Sequence, residues 1–294
     1  MDNFSPLRYP GGKNKLSRYL KKVIEQNELI GSDYIEPFAG GSGVALSLLL
    51  SEYVRDIHIN DLDIGVYSFW NSVKCSNDQL CELIQKTPVN IETWLRFREE
   101  YSNPEGLSEL ELGFRAFYLN RTNRSGILKA GVIGGINQDG NYKIDARFKK
   151  DNLIKRIRKI GLYSSRINVY NLHIDEFLTE EVPKLSQHCF IYFDPPYYEK
   201  ADGLYQNHFK HQDHESLSLQ IRSIVDHDWV VSYDNVAPIL DLYKGVDYEI
   251  FGINYSADSH YKGSEVMFFK DGTKRPDRVF TSKKEELELL KECI

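Results

Sequence analysis

Apolar positions along this chain fall into two regimes. In the outer parts, short apolar runs alternate with amphipathic stretches. Ser32 to Glu36 reads as a strand, Pro37 to Gly43 as a glycine-rich turn, and Val44 to Tyr53 as a helix. Asp56 to Asn60 reads as a second strand, ending at Asp61. From about residue 64 to 121 the spacing becomes helical throughout. Trp94, Leu95 and Phe97 fall on one helix, and Leu110, Phe114, Phe117 and Tyr118 on another. Residues 122 to 146, rich in Gly and Asn, suggest a hairpin or loops, and Lys149 to Ile160 a basic amphipathic helix.

Alternation then resumes. Ile167 to Tyr170 is a strand, and the continuous apolar run Cys189 to Phe193 suits a central parallel strand buried on both faces. Leu217 to Val225 is helical and Trp229 to Tyr233 is a strand. Tyr248 to Ile253 and Glu265 to Phe269 form a closing antiparallel pair, and the Lys- and Glu-rich tail after Phe280 a solvated helix. The expected fold is α/β. It has a mostly parallel, Rossmann-like sheet from residues 1–63 and 153–294, interrupted by a mainly helical domain at 64–152.

Composition leaves that picture standing: 294 residues, 41% hydrophobic and 13% aromatic, are ordinary globular values. No apolar run is long enough for a membrane span, and Met1 to Ser5 lacks a signal pattern, so a cytoplasmic protein is expected. Cys75, Cys81, Cys189 and Cys293 form no C-x-x-C pair, which argues against a zinc site or a disulfide framework. Charge changes the picture more. The chain carries a net −6, yet Arg115 to Arg166 holds 13 Lys or Arg against Asp139, Asp145 and Asp151. A basic block in an acidic protein is a footprint that can meet phosphates, or a set of solvated helix faces.

Three motifs carry candidate chemistry. Asp194-Pro195-Pro196-Tyr197 directly follows the buried strand, where ligands of open α/β sheets bind. A carboxylate and a carbonyl from Pro195 can both accept from an exocyclic amino group and free its lone pair. The two prolines fix φ and remove backbone donors, and Tyr197 offers a face to a flipped-out base. The bland alternative is a turn that ends a strand. Glu36-Pro37-Phe38-Ala39-Gly40-Gly41-Ser42-Gly43 lets backbone approach a ligand at a helix start. Asp61, 18 residues beyond Gly43, suits ribose hydroxyls. Those two features serve a nicotinamide enzyme equally well. Arg8-Tyr9-Pro10-Gly11-Gly12-Lys13 is weak alone. His208, His211 and His214 recur every three residues, but they straddle a helix start that Asp213 can cap, and no metal is expected; a lid from Tyr205 to His211 fits better.

In this order the motifs resemble the Dam-type family of adenine-specific DNA methyltransferases, over nearly the whole chain. The resemblance implies a methyltransferase sheet and transfer of methyl from S-adenosyl-L-methionine to adenine N6 in double-stranded DNA. It implies cofactor contacts from Tyr9, Lys13, Phe38, Gly40, Gly43, Asp61 and Asp194, and catalysis at Asp194 to Tyr197. Asp175 either binds the cofactor adenine or caps a helix. Ser232-Tyr233-Asp234-Asn235 falls where the family has a short polar motif. The insert becomes a target-recognition domain, with Asn120, Arg121, Asn123 and Arg124 facing DNA and Lys149 and Lys150 facing phosphates. This stretch departs from the best-known members, so the recognition sequence does not carry over. A monomer, no membrane, and a cognate restriction endonuclease as a further partner complete the expectation. Cytosine, RNA or protein glutamine as substrate, and a silent DNA-binding relative, remain as rivals.

Overall fold

Every residue of Cys189–Phe193 is buried, which requires a strand covered on both faces. The computed structural model, which describes residues 4–9, 13–185, 189–199, 209–256 and 260–292, shows that strand at the centre of a seven-stranded sheet. The strands are β1 (Asp33–Glu36), β2 (Ile57–Asn60), β3 (Ile167–Tyr170), β4 (Cys189–Phe193), β5 (Asp228–Asp234), β6 (Asp247–Ser256) and β7 (His260–Phe269). Their order is β3-β2-β1-β4-β5-β7-β6. The first five run parallel, and β7 is antiparallel to both β5 and β6.

Alternate residues of each central strand face opposite layers. Tyr34, Phe190 and Tyr192 join one apolar cluster, and Ile35, Cys189, Ile191 and Phe193 the other. The first layer contains α1 (Ser17–Gln26), α2 (Gly43–Leu49) and α3 (Ile64–Cys75). α4 (Asn77–Lys86), α5 (Ile91–Ser102), α6 (Glu109–Thr122) and α7 (Lys150–Gly161) extend that cluster outward, with Phe69, Trp94 and Phe117 at its heart. The second layer contains α8 (Ile174–Glu176), α9 (His211–Ser223) and α10 (Ala237–Leu242); α11 (Lys283–Glu292) lies near the end of the chain.

Local rules explain these elements. Asp63 caps α3 by accepting from the Gly65 and Val66 amides, Asn90 caps α5, and Ser108 with Glu111 forms a capping box on α6. Several elements differ from the sequence reading. α1 was not expected, although Leu16, Tyr19, Leu20, Val23 and Ile24 are buried at helical spacing. α2 stops at Leu49, short of Tyr53, because the chain turns through Glu52 at φ 58°. Residues 122 to 146 make one isolated bridge, Asn123 to Val132, and two short 3-10 turns. α9 begins at His211, one and a half turns before Leu217. α7 runs across the 152/153 boundary expected for the insert. Among the described residues no helix is long and apolar enough to cross a membrane.

Candidate active site

Strand order reverses between β1 and β4: β2 and β3 follow on one side, β5 on the other. In open α/β sheets the crevice at such a point, past the carboxyl ends of the strands, receives the ligand. The glycine-rich loop leaves β1 there, and Asp194 leaves β4.

Gly40 is held on several sides. Its N–H donates to Asp61 Oδ2 at 2.8 Å and its carbonyl accepts from Trp70 Nε1 at 2.9 Å. Its φ is +44°, and a Cβ there would sit 2.7 Å from the Tyr9 ring. Tyr9 therefore lies flat on the loop, and only glycine admits it. A Cβ on Gly43 would collide with the Asn14 amide, so that glycine makes room for Asn14. Asp61 also accepts from Asp63 N at 2.9 Å. Burial, then the neighbouring Asp63 charge, push its pKa up to about 7 against those two amide bonds. Beneath it, buried Asn60 joins three strand ends. Its Nδ2 donates to the Pro37 and Leu172 carbonyls at 3.1 Å each, and its Oδ1 accepts from Leu172 N at 2.9 Å.

Asp194 sits in a second cluster. Lys13 Nζ lies 2.9 Å from Oδ1, and Ser232 Oγ donates to the same oxygen at 2.9 Å. Tyr192 OH is 2.7 Å from Ser232 Oγ; since the serine proton points to Asp194, the tyrosine donates. No hydrogen bond to Asp194 Oδ2 is made among the described residues. Burial raises the Asp194 pKa, opposed by Lys13 and reinforced by Glu265. Pro195, Pro196 and Tyr197 are buried. Tyr197 OH donates to Glu265 on β7 and bonds Lys13, whose ammonium lies 4.6 Å from the ring centroid. Glu265 is fully buried. Asp234, buried beside it in the strand register, accepts from Tyr198 N at 2.9 Å and Glu199 N at 3.0 Å. The polar motif of β5 thus fixes the tetrapeptide at its head through Ser232 and just beyond its tail through Asp234.

Other expected residues are dispersed. Phe38 packs edge-on to Phe209, 6.0 Å between centroids. Asp175 is exposed and accepts from Gln220; the N-cap of α8 is His173, which removes the capping alternative. His211 is exposed, whereas His214 is buried among Tyr198, Phe209 and Tyr233, with burial lowering its pKa to about 4. Among the described residues no group of three His, Cys, Asp or Glu is placed to hold a metal. Pro10 to Gly12, His208 and most of the expected lid lie outside the described residues.

In the insert, Asn120 and Asn123 are buried and their amides are taken by protein groups. Asn120 bonds the backbone of Arg8 and Gly126, and Asn123 bonds Ile127, Leu128 and the Trp94 indole. Their job in this fold is to shape the loop, not to present an edge to a base. Arg121 spends its guanidinium on the Arg147 and Pro6 carbonyls, and burial lowers its pKa to about 9. Lys150 binds the Gln85 and Thr87 carbonyls at the C-terminal end of α4. Arg124 and Lys149 stand exposed. The sequence reading missed Asn60, Trp70 and Glu265. Two of them carried a signal: an Asn ending an apolar strand, and a lone acid opening Glu265-Val-Met-Phe-Phe269.

The chain is 26% identical over 205 residues to the type II methyltransferase M.MjaIII of Methanocaldococcus jannaschii, covering 65% of this chain and 68% of that one. It is 21% identical over 220 residues to the type II methyltransferase M1.LlaDCHI of Lactococcus lactis subsp. cremoris, covering 72% and 71%. Among solved structures it is similar to the rRNA methyltransferase aviRa from Streptomyces viridochromogenes, at 13% identity over 89% of this chain and 86% of that one. The TM-score there is 0.36, too low to bear on substrate. Residues 9–257 match the D12 class N6 adenine-specific DNA methyltransferase family, a span that contains the Gly40 loop, Asp61, the helices between β2 and β3, and the Asp194 cluster apart from Glu265. A switch-point crevice with a glycine cradle on one side and Asp-Pro-Pro-Tyr on the other is what such an enzyme needs, and the chain belongs to that family of DNA adenine methyltransferases.

Proposed function

We propose that S-adenosyl-L-methionine binds across the ends of β1 and β2, and that a flipped-out adenine of double-stranded DNA enters beside Asp194 and Tyr197. The residues present suit the cofactor. Gly40 admits the Tyr9 ring, which a Cβ would strike, so an aromatic face lies against the loop, and Asp61, with two amides bound, keeps lone pairs for ribose hydroxyls. Tyr9, Lys13, Phe38, Gly43 and Asp175 are assigned to the same cofactor by the family resemblance. When bound, the cofactor supplies an electrophilic methyl whose bond to sulfur breaks as the bond to nitrogen forms.

One observation carries the reading: Lys13 and Ser232 both occupy Asp194 Oδ1, which leaves Oδ2 to accept an amino hydrogen. The Pro195 carbonyl takes the other hydrogen, and the two acceptors draw the nitrogen lone pair out of the ring. Tyr197, held by Glu265 and Lys13, gives the base a fixed face. The nitrogen then loses a proton, for which the Asp194 carboxylate is the nearest acceptor. The work is positioning and dipole alignment, with no covalent protein intermediate.

The helical segment between β2 and β3 is the DNA-reading part, with Arg124 reaching bases and Lys149 phosphates; Asn120, Arg121, Asn123 and Lys150 support that surface from behind. Both curated relatives are named as type II methyltransferases. In this reading the chain acts in the cytoplasm as a monomer and protects DNA from an endonuclease of the same specificity. Titration with S-adenosylmethionine tests the cofactor assignment. Wild type binds it, and Asp61→Ala weakens binding at least tenfold while leaving the thermal midpoint within a few degrees. Equal binding by both proteins contradicts the assignment.

A further inference from the structure

The segment that places Tyr9 on the cofactor loop is bolted to the DNA-reading loop. Asn120 is 3% exposed and grips both backbone groups of Arg8: Arg8 N donates to Oδ1 at 2.8 Å, and Nδ2 donates to Arg8 O at 2.7 Å. The same Nδ2 donates to Gly126 O at 2.8 Å. From the other side, Gly126 has φ +80°, and a Cβ there would lie 2.3 Å from Arg8 O. Arg8 Nη1 returns a hydrogen bond to Asn123 O at 3.0 Å, and Arg156 Nη1 holds Ser5 O at 3.1 Å. One residue further on, the Tyr9 ring rests on Gly40 and its Cβ on Gly41.

We infer that Asn120 and Gly126 are positioning residues for Tyr9, so that the loop between α6 and Val132 sets affinity for S-adenosylmethionine and not only the fit to DNA. The physical reason is short. Asn120 holds two successive peptide planes, one at the Arg8 N–H and the next at the Arg8 C=O, so neither can rotate and the Tyr9 ring that follows lies in one place. Releasing Arg8 lets Tyr9 leave Gly40, and the cradle must be rebuilt at each binding event. The inference rests on the assignment of Tyr9 and Gly40 to the cofactor.

The test is equilibrium binding of labelled S-adenosylmethionine to the full chain without DNA, alongside methylation of a panel of DNA sequences. Asn120→Ala and Gly126→Ala are each compared with Tyr9→Ala and with the double variants. Gly126→Ala reaches the same contact without removing a buried amide, should Asn120→Ala unfold. Each variant is expected to raise the dissociation constant about tenfold, with the order of preferred DNA sequences unchanged. Adding Tyr9→Ala to either should cost nothing more. An unchanged dissociation constant with an altered DNA preference overturns the inference. If Tyr9→Ala itself leaves binding intact, the cofactor assignment of this loop fails, and the inference with it.

Discussion

A carboxylate that accepts two amide hydrogen bonds and is proposed to accept ribose hydroxyls works best ionised, and Asp61 is pushed up to about 7 by burial and by Asp63. Its folded pKa lies above the ordinary aspartate value. Its contribution to stability is therefore present below about pH 4 and lost as pH rises through about 7. Cofactor affinity should run the other way. It should rise with pH through about 7 as the acceptor ionises, and Asp61→Asn should flatten that rise; calorimetric titration from pH 6 to 8 checks both. Tyr197 provides a second case. Its hydroxyl is tied to Glu265 and Lys13, so Tyr197→Phe should lower kcat about tenfold with little change in KM for the cofactor. Glu265→Gln should act through the same tie, and the pair should not multiply in a double-variant cycle. At this scale the placing of Asp61 beside the Gly40 loop and of Asp194 at a strand end was legible, because glycines and acids directly after apolar runs stand out in the sequence. Asn120 and Asn123 were misjudged as DNA readers, because nothing in Leu119-Asn120-Arg121-Thr122-Asn123 tells an inward amide from an outward one.

Among elements, the ends of β1, β2 and β3 meet at one amide. Asn60→Ala strands two carbonyls and one N–H in a buried place, at a cost of roughly 2–4 kcal/mol. Denaturant unfolding should show that loss, together with weaker cofactor binding, since Asp61 is the next residue. By contrast, Ser108→Ala removes an exposed capping box and should cost about 1 kcal/mol with activity unchanged. The parallel strands and most helices could be read from apolar runs. α1 carries a regular 3-4 apolar spacing but no start signal, since Leu16 stands at its N-cap and makes no side-chain cap hydrogen bond. The start of α9 gave no apolar signal because His211 to Asp213 are polar and face water, and the first buried position is a histidine, His214. The loop from 122 to 146 has little repeating structure because its hydrogen bonds run to Asn and Gln side chains, a pattern with no period to detect.

For the whole molecule, the basic block promises more charge than the surface delivers. Of the 13 basic residues from Arg115 to Arg166, Arg115, Arg121, Lys150, Arg156 and Arg166 are half-buried, and Lys155 and Arg158 border a groove shared with Asp78, Glu82 and Asp151. Lys143 is exposed but donates to the Gln138 and Gly140 carbonyls, and Lys159 is exposed over the Phe4 ring; Arg124, Lys129, Arg147 and Lys149, also exposed, are the four proposed to meet DNA. The logarithm of DNA affinity should therefore fall against the logarithm of salt with a slope of about −4, not the roughly −12 that all 13 would produce. Arg124→Ala should weaken binding or sequence discrimination by about 1–3 kcal/mol, measured on matched and mismatched duplexes. The most direct measurement is transfer of labelled methyl from S-adenosylmethionine to unmethylated DNA, digested to nucleosides, for wild type and Asp194→Ala. The expected result is label on N6-methyladenine with wild type and almost none with the variant. Label on cytosine, or equal transfer by the variant, would contradict the role given to Asp194 at the end of β4.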